Sequence, residues 1–406
     1  MKKIFIWFII IFTILIFLYA FSSSYNSQNI DHLDYVIALC VDTIPNSSDL
    51  MVSFEFANLK SFSENSSSEN SEPIIDSIIA PSISNAINLL NGYVGKQINL
   101  SHCKVIVFSK DFSKRGIFNE LSTLTHNIQI RPTTNIIISE GEAIEYVKKS
   151  ISSLEQVLTK YYDLFPTSSE YTGFTSNIPL GMFYDNILNK NCGAVTILGK
   201  EINNTEKKQT NSQDNQTIDP QKTIVKGDHG TENMGLAIFK DDKYLADLTP
   251  KETLCYSLIK DEVDNFLITL KNPFDNSENI DIYINSLSHI DIDLDISNIN
   301  PIITIKLNLQ ADVLNILGKS NLPYSETLKT LNESVKKYLS SEFEEYLYKT
   351  SKEYKTDINE FYKIAKHKFL TNSDFDNYNW EEKYENCEFN IKYNENIVSN
   401  LIIKDI

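Results

Sequence analysis

The sequence predicts an α+β protein: an N-terminal membrane anchor helix, then a multi-domain ectodomain of mixed sheets flanked by helices. Three observations carry this. An unbroken apolar run, Ile4–Phe21, opens the chain with Thr13 as its only polar side chain. Downstream, segments of period-2 alternation are interleaved with segments whose apolar residues recur every three or four positions. Two polar stretches, 61–72 and 203–233, interrupt that patterning. With 406 residues, 42% hydrophobic and 11% aromatic, the chain can bury more than one core, which excludes wholesale disorder.

Lys2 and Lys3 precede the apolar run, and no Lys or Arg follows it until Lys60. The positive-inside bias therefore leaves the N-terminus in the cytoplasm and the remaining chain outside. As a helix, Ile4–Phe21, with Trp7 inside it, spans about 27 Å, close to the hydrocarbon thickness of a bilayer. A cleaved signal peptide starts in a similar way, and Ala20-Phe21-Ser22 would pass as a cleavage site. Its apolar region normally runs only about 7–15 residues, so an uncleaved anchor is expected. No cysteine follows the run closely, which removes lipid attachment at a processed Cys. The net charge of −17 argues against nucleic acid and against broad docking on anionic headgroups.

The expected organisation is 1–28 as anchor (or signal) segment, 29–202 as N-terminal α+β domain or domains, 203–233 as polar linker or disordered insertion, and 234–406 as C-terminal α+β domain. In the first block, Leu33–Val41 suits a buried strand, and Leu50, Val52, Phe54 and Phe56 alternate as a half-buried one. Ile74–Leu90 predicts a helix, with Ile79, Ile83, Ala86, Ile87 and Leu90 on one stripe and Pro81 near its start. Lys104–Phe108 reads as a strand, Asp111–Leu124 as a helix and Thr133–Ser139 as a strand after the breaker Arg131-Pro132. This βαβ unit implies a parallel pair with a right-handed crossover. A helix at 141–150 follows.

The second block opens with a hairpin, Gly235–Phe239 and Tyr244–Leu248, and a helix from Pro250 to Ile259. Strands are expected near 265–271, 280–286, 290–296 and 302–310. The longest helix covers 325–351, with Leu328, Leu331, Val335, Leu339, Phe343 and Leu347 three or four apart. Asp357, with Glu360 three residues on, resembles a capping box starting a further helix. Cys387, Phe389, Ile391 and Tyr393 alternate as a late strand.

No GxSxG, HExxH, GxGxxG or GxxxxGK[ST] occurs, and no two of the six histidines lie at metal-ligand spacing on one helix. Asp291, Asp293 and Asp295 could attract calcium, but an EF-hand loop starting at Asp291 would need Gly at 296 and Glu at 302, and both are Ile. An amphipathic strand with Ile292, Leu294 and Ile296 inward explains every residue in the run. His102 and Cys103 are neighbours, and neighbours in an extended segment point to opposite faces, so Cys103 reads as a small buried hydrophobe. Cys40 and Cys387 take the same reading. Five widely spaced cysteines with no CxxC make neither a zinc ribbon nor a dense disulfide framework. Trp380 reads as a core aromatic. No catalytic, cofactor or metal residue is assigned.

Three stretches resemble the C subunit of spore germination receptors, the Ger(x)C family. Leu100–Ala143 is similar to the family's strand–helix–strand, with Arg115-Gly116 in its "RGI" turn and Arg131-Pro132 in its "IRPT" segment. Met234–Asp261, with Gly235, looks like its hairpin and following "E-T" helix. Tyr354–Phe369, with Asp357, and then Trp380, are similar to its "S-D-I-F-G-F-G … W" tail, although the tail glycines are missing. Thr125-His126-Asn127-Ile128 replaces the usual acidic-proline wording, and the lipoprotein cysteine of most members is absent.

The resemblance implies a non-enzymatic subunit of a nutrient-sensing complex, with integral-membrane A- and B-type subunits as partners and the ectodomain on the outer face of the spore's inner membrane. Read from the residues alone, two other functions stay open: an independent membrane-tethered solute-binding protein, and a surface hydrolase.

Overall fold

A computed structural model describes residues 2–23, 32–57, 74–150, 158–202, 230–314, 323–394 and 397–401. The expected loop at 61–72 and residues 203–229 of the expected linker lie outside the described residues. Helix α1 (Lys2–Ser23) opens the chain, and the side chains of Ile4–Phe17 are exposed throughout, Trp7 at 67%. Among the described residues, no helix is long and apolar enough to cross a membrane.

The first block contains β1 (Leu33–Thr43), β2 (Leu50–Phe56), β3 (Ile74–Ala80), α2 (Ile83–Leu90), β4 (Gln97–Asn99) and β5 (Val105–Ser109). It continues with α3 (Lys110–Ser113), α4 (Phe118–Thr125), β6 (Asn135–Ser139), α5 (Ala143–Lys149), α6 (Leu158–Leu164), α7 (Ser169–Thr172), α8 (Leu180–Ile187) and β7 (Ala194–Glu201). Past the undescribed stretch come β8 (Thr231–Glu232), β9 (Leu236–Lys240), β10 (Lys243–Leu248) and α9 (Pro250–Ile259).

These strands form one sheet in the order β10-β9-β7-β6-β5-β1-β2-β3, with β4 on β1 and β8 on β7. β1, β5, β6 and β7 are parallel, as the βαβ pattern required. β5 and β6 are buried at every position because helices cover both faces, which is why they read as unbroken apolar runs. On one face Val105, Val107 and Ile137 meet Tyr146 of α5 and Tyr162 of α6. On the other, Ile106, Phe108 and Ile138 join a core that continues into the C-terminal elements. The hairpin β9–β10 pairs with β7 across the undescribed stretch, so the sheet draws strands from both expected blocks.

The remaining elements are β11 (Asn265–Asn272), β12 (Asp275–Ser286), β13 (Asp291–Asp295), β14 (Ile302–Leu307), β15 (Leu309–Val313), α10 (Tyr324–Tyr348), α11 (Tyr362–Lys366), α12 (Asn372–Tyr378), α13 (Trp380–Glu385), β16 (Glu388–Tyr393) and β17 (Val398–Leu401). They make a four-stranded sheet, β11-β12-β15-β17, and a three-stranded one, β13-β14-β16. Against these packs α10, burying Leu331, Val335, Leu339, Phe343 and Leu347. The architecture is α+β with several sheets.

Three local expectations are corrected. Ile74–Leu90 is not one helix. Residues 74–80 are an edge strand whose backbone is committed to β2, from Phe56↔Ile74 to Leu50↔Ala80. The helix begins only after Pro81, where the Ser82 hydroxyl accepts from Asn85 N–H at 3.2 Å. The Asp111–Leu124 helix is broken in two at Gly116, whose φ of +106° is left-handed. Asp357 and Glu360 form no capping box: α11 starts at Tyr362, and Glu360 turns to lysines instead of back to Asp357.

Candidate functional site

The family-like residues occupy joints where one element is fixed to another. The Arg115 guanidinium donates to the carbonyls of Ser47 and Ile44 at 3.2 and 3.3 Å, clamping the β1–β2 turn. At Gly116 an added Cβ would lie 2.6 Å from the Asp242 carboxylate, and Ile117 N–H donates to the Asp242 carbonyl at 3.0 Å. The β9–β10 turn is thereby held against the α3–α4 break. Arg131 and Pro132 are exposed. Their carbonyls accept from Thr134 and Gly181 N–H at 3.0 and 2.9 Å, which seats the start of α8. Gly235 has φ +97°, donates to the Phe174 carbonyl at 2.7 Å, and leaves no room for a Cβ beside the Leu248 carbonyl.

The densest joint is 354–361, between the π turn that ends α10 and the start of α11. Thr356, Asp357, Asn359 and Glu360 are all buried, an unusual run of polar residues. Each is held by specific partners. Asp357 accepts from Phe361 and Tyr362 N–H at 3.1 and 2.8 Å and from the Trp380 indole Nε1 at 2.9 Å. Asn359 Oδ1 accepts from the Tyr346 hydroxyl at 2.6 Å. Glu360 accepts from Lys260, just past the end of α9, at 2.5 Å and from Lys363 at 2.9 Å. Burial drives the Asp357 carboxyl up to about 6 in spite of its three donors. Burial also pushes against ionisation of Glu360, but the two lysines outweigh it and hold its pKa below the usual value.

Gly193, just before β7, lets this loop approach: its N–H donates to the Asp357 carbonyl at 3.1 Å, and a Cβ there would collide with Thr356 and the Phe239 carbonyl. The joint opens on a cavity of about 20 Å³, lined by Lys190, Cys192, Lys240, Asp357 and neighbours. That volume suits a water molecule and is far below what a small organic ligand needs.

The chemistry on offer is positional. The Asp357 carboxylate spends both oxygens on structural donors, and burial raises the Cys192 thiol to about 12, so neither is poised as base or nucleophile. Cys40, Cys103, Cys192, Cys255 and Cys387 are free and buried. Asp291, Asp293 and Asp295 are exposed on β13, with Asp291 paired to Lys306 at 2.7 Å. Among the described residues no group of three His, Cys, Asp or Glu is placed to hold a metal ion.

Sequence reasoning singled out Asp357 and Trp380, and the structure brings them into contact. It missed Gly193, Lys260 and Glu360 as parts of the same joint. Only Gly193 left a usable signal, as a lone glycine directly before an apolar strand.

Two family models match the chain. One, described as "Spore germination protein N-terminal domain", covers residues 26–200. The other, "Spore germination B3/ GerAC like, C-terminal", covers residues 234–400. The fold is similar to that in "Crystal Structure of the GerBC protein", with TM-score 0.53 and 13% sequence identity, over 90% of this chain and 97% of that one. No curated relative matches the chain.

Proposed function

Because the chain belongs to the GerAC-like family of spore germination proteins, we propose that it acts as the non-catalytic C-type subunit of a nutrient germinant receptor. In this reading α1 tethers it to the spore's inner membrane, the acidic ectodomain lies on the outer face, and A- and B-type membrane subunits are its partners. The observation that carries the reading is the joint at 354–361: its buried carboxylates are spent on holding elements together, so what the fold supplies is a fixed shape for binding. For the tether, Lys2-Lys3 ahead of eighteen unbroken residues, and the exposure of every side chain from Ile4 to Phe17, are the support.

The test is purification of the native protein from detergent-extracted spore membranes. A- and B-type subunits should come with it, and its mass should include residues before Phe21. Recovery alone, or as a mature chain beginning near Ser23 in the soluble fraction, would sink the assembly or the tether respectively.

A further inference from the structure

Strands β1, β4, β5 and β6 run parallel, so their N-terminal ends lie together at one end of the sheet. The chain arrives from α1 at that same end, because Leu33 begins β1 and pairs with Gln97 at the start of β4. Only nine residues, 24–32, separate Ser23 from Leu33. Fully extended they reach about 32 Å, so this end cannot stray far from wherever α1 is inserted.

Two loop tips project from it. Tyr93, in the loop before β4, is 82% exposed, and Ile128, in the loop before β6, is 99% exposed. The loops are braced and not merely dangling. Asn91 Oδ1 accepts from Ile98 N–H at 2.9 Å, and Gln129 Oε1 accepts from Leu100 N–H at 2.9 Å, tying the Ile128 loop to the one before β5. The two loops carry no carboxylate of their own. In a chain of net charge −17, no acidic residue occurs between Asp76 and Asp111 or between Glu120 and Glu140. Of the cations at this end, Lys96 pairs with Asp34 at 3.5 Å and Lys104 with Asp163 at 2.8 Å, while Arg131 is exposed.

We infer that this end of the sheet is a lipid-facing surface: Tyr93 and Ile128 enter the interfacial layer of the bilayer while Arg131 faces anionic headgroups. A tyrosine with a wet hydroxyl suits that layer, a bare isoleucine gains by leaving water, and acid-free loops avoid repulsion from the surface. One Tyr and one Ile would not recruit a free protein. On a tethered chain the contact is intramolecular, and a small gain suffices to set orientation. The inference rests on the proposed tether.

The test uses the full chain reconstituted into vesicles of phosphatidylcholine with a minority of phosphatidylglycerol. A fluorophore is placed at Tyr93→Cys, at Ile128→Cys or at Ser48→Cys, the last exposed in the β1–β2 turn at the opposite end of β1. The five natural cysteines are buried, so labelling is selective. A headgroup-attached quencher should quench positions 93 and 128 roughly threefold or more over position 48. Equal quenching at all three sites on vesicles that retain the protein overturns the inference and leaves the tether standing. A chain that vesicles do not retain removes the tether, and this surface with it. Shielding of 93 and 128 only when A- and B-type subunits are co-reconstituted assigns the surface to a protein partner, which also overturns it.

Discussion

Glu55 sits on β2 under α6, 1% exposed, with one oxygen accepting from the Tyr162 hydroxyl at 3.3 Å and Oε1 without a donor among the described residues. Burial outweighs the tyrosine and drives its pKa up to about 7. The folded value lies above the unfolded one, so the stability linked to this group is full below pH ~4.5 and is lost as pH rises through about 7. Glu55→Gln keeps an oxygen for Tyr162 and cannot ionise. It should match the parent near pH 4.5 and exceed it at pH 8 by up to about 3 kcal/mol, read as a denaturant midpoint. An equal deficit at both pH values would show that Glu55 is not the titrating group. Glu360 poses the opposite case, a buried carboxylate that must stay charged, on a backbone at φ +61°. Glu360→Ala should lose the lysine pairs and keep the backbone strain, costing about 3–5 kcal/mol. Glu360→Gly should cost about 1 kcal/mol less, because the left-handed strain is relieved. If the alanine variant is the more stable of the two, the positive φ at this residue stores no appreciable strain.

The elements differ in how openly they were written in the chain. β5 and β6 were legible because a strand buried on both faces needs only an apolar run. α9 was legible from Pro250, and Thr249 and Glu252 complete a capping box at its start. β3 was not, since paired isoleucines at 74–75 and 78–79 satisfy a helical spacing as well as a half-exposed edge strand. What decided it was pairing with β2, which no local window contains. The 354–361 joint was half legible for the same reason: Trp380 is one of only two tryptophans and Asp357 stands in a family-like stretch, whereas Lys260 and Gly193 matter only through contacts across the fold. Those contacts give a graded prediction. Gly235→Ala meets the Leu248 carbonyl, a backbone atom that cannot step aside, on a left-handed residue. Gly116→Ala is also left-handed but meets the Asp242 side chain, which can rotate. The expected losses are about 3 kcal/mol or more at 235 and about 1–2 kcal/mol at 116, by thermal or denaturant unfolding. The reverse order would mean that the hairpin, and not the Asp242 turn, is the softer contact.

At the scale of the whole molecule, dividing the chain into 29–202 and 234–406 cuts between β7 and β9, which are hydrogen-bonded neighbours from Ala194↔Phe239 to Ile197↔Leu236. The core is continuous over the same seam, running from Val36 to Val398, and Gly193 carries the 354–361 joint directly on the start of β7. Covalent continuity through 203–229 is therefore not what holds the halves together. We propose that the two sequence-defined blocks fold as one cooperative unit, with β9 and β10 completing the large sheet. A protease site engineered within residues 203–229 tests this in the full chain. After cleavage the two fragments should still elute as one particle and unfold in a single transition, because a cut within 203–229 leaves a β-sheet seam and a shared core intact. A fragment of 29–202 expressed alone should expose the β7 edge and the apolar face that Leu236, Ile238 and Phe239 cover, and so aggregate. Extending that fragment through α9 to residue 260 should restore solubility if the missing hairpin is the cause. Fragments that separate after cleavage, or a soluble and cooperatively folding 29–202, would place the structural boundary at the undescribed stretch after all.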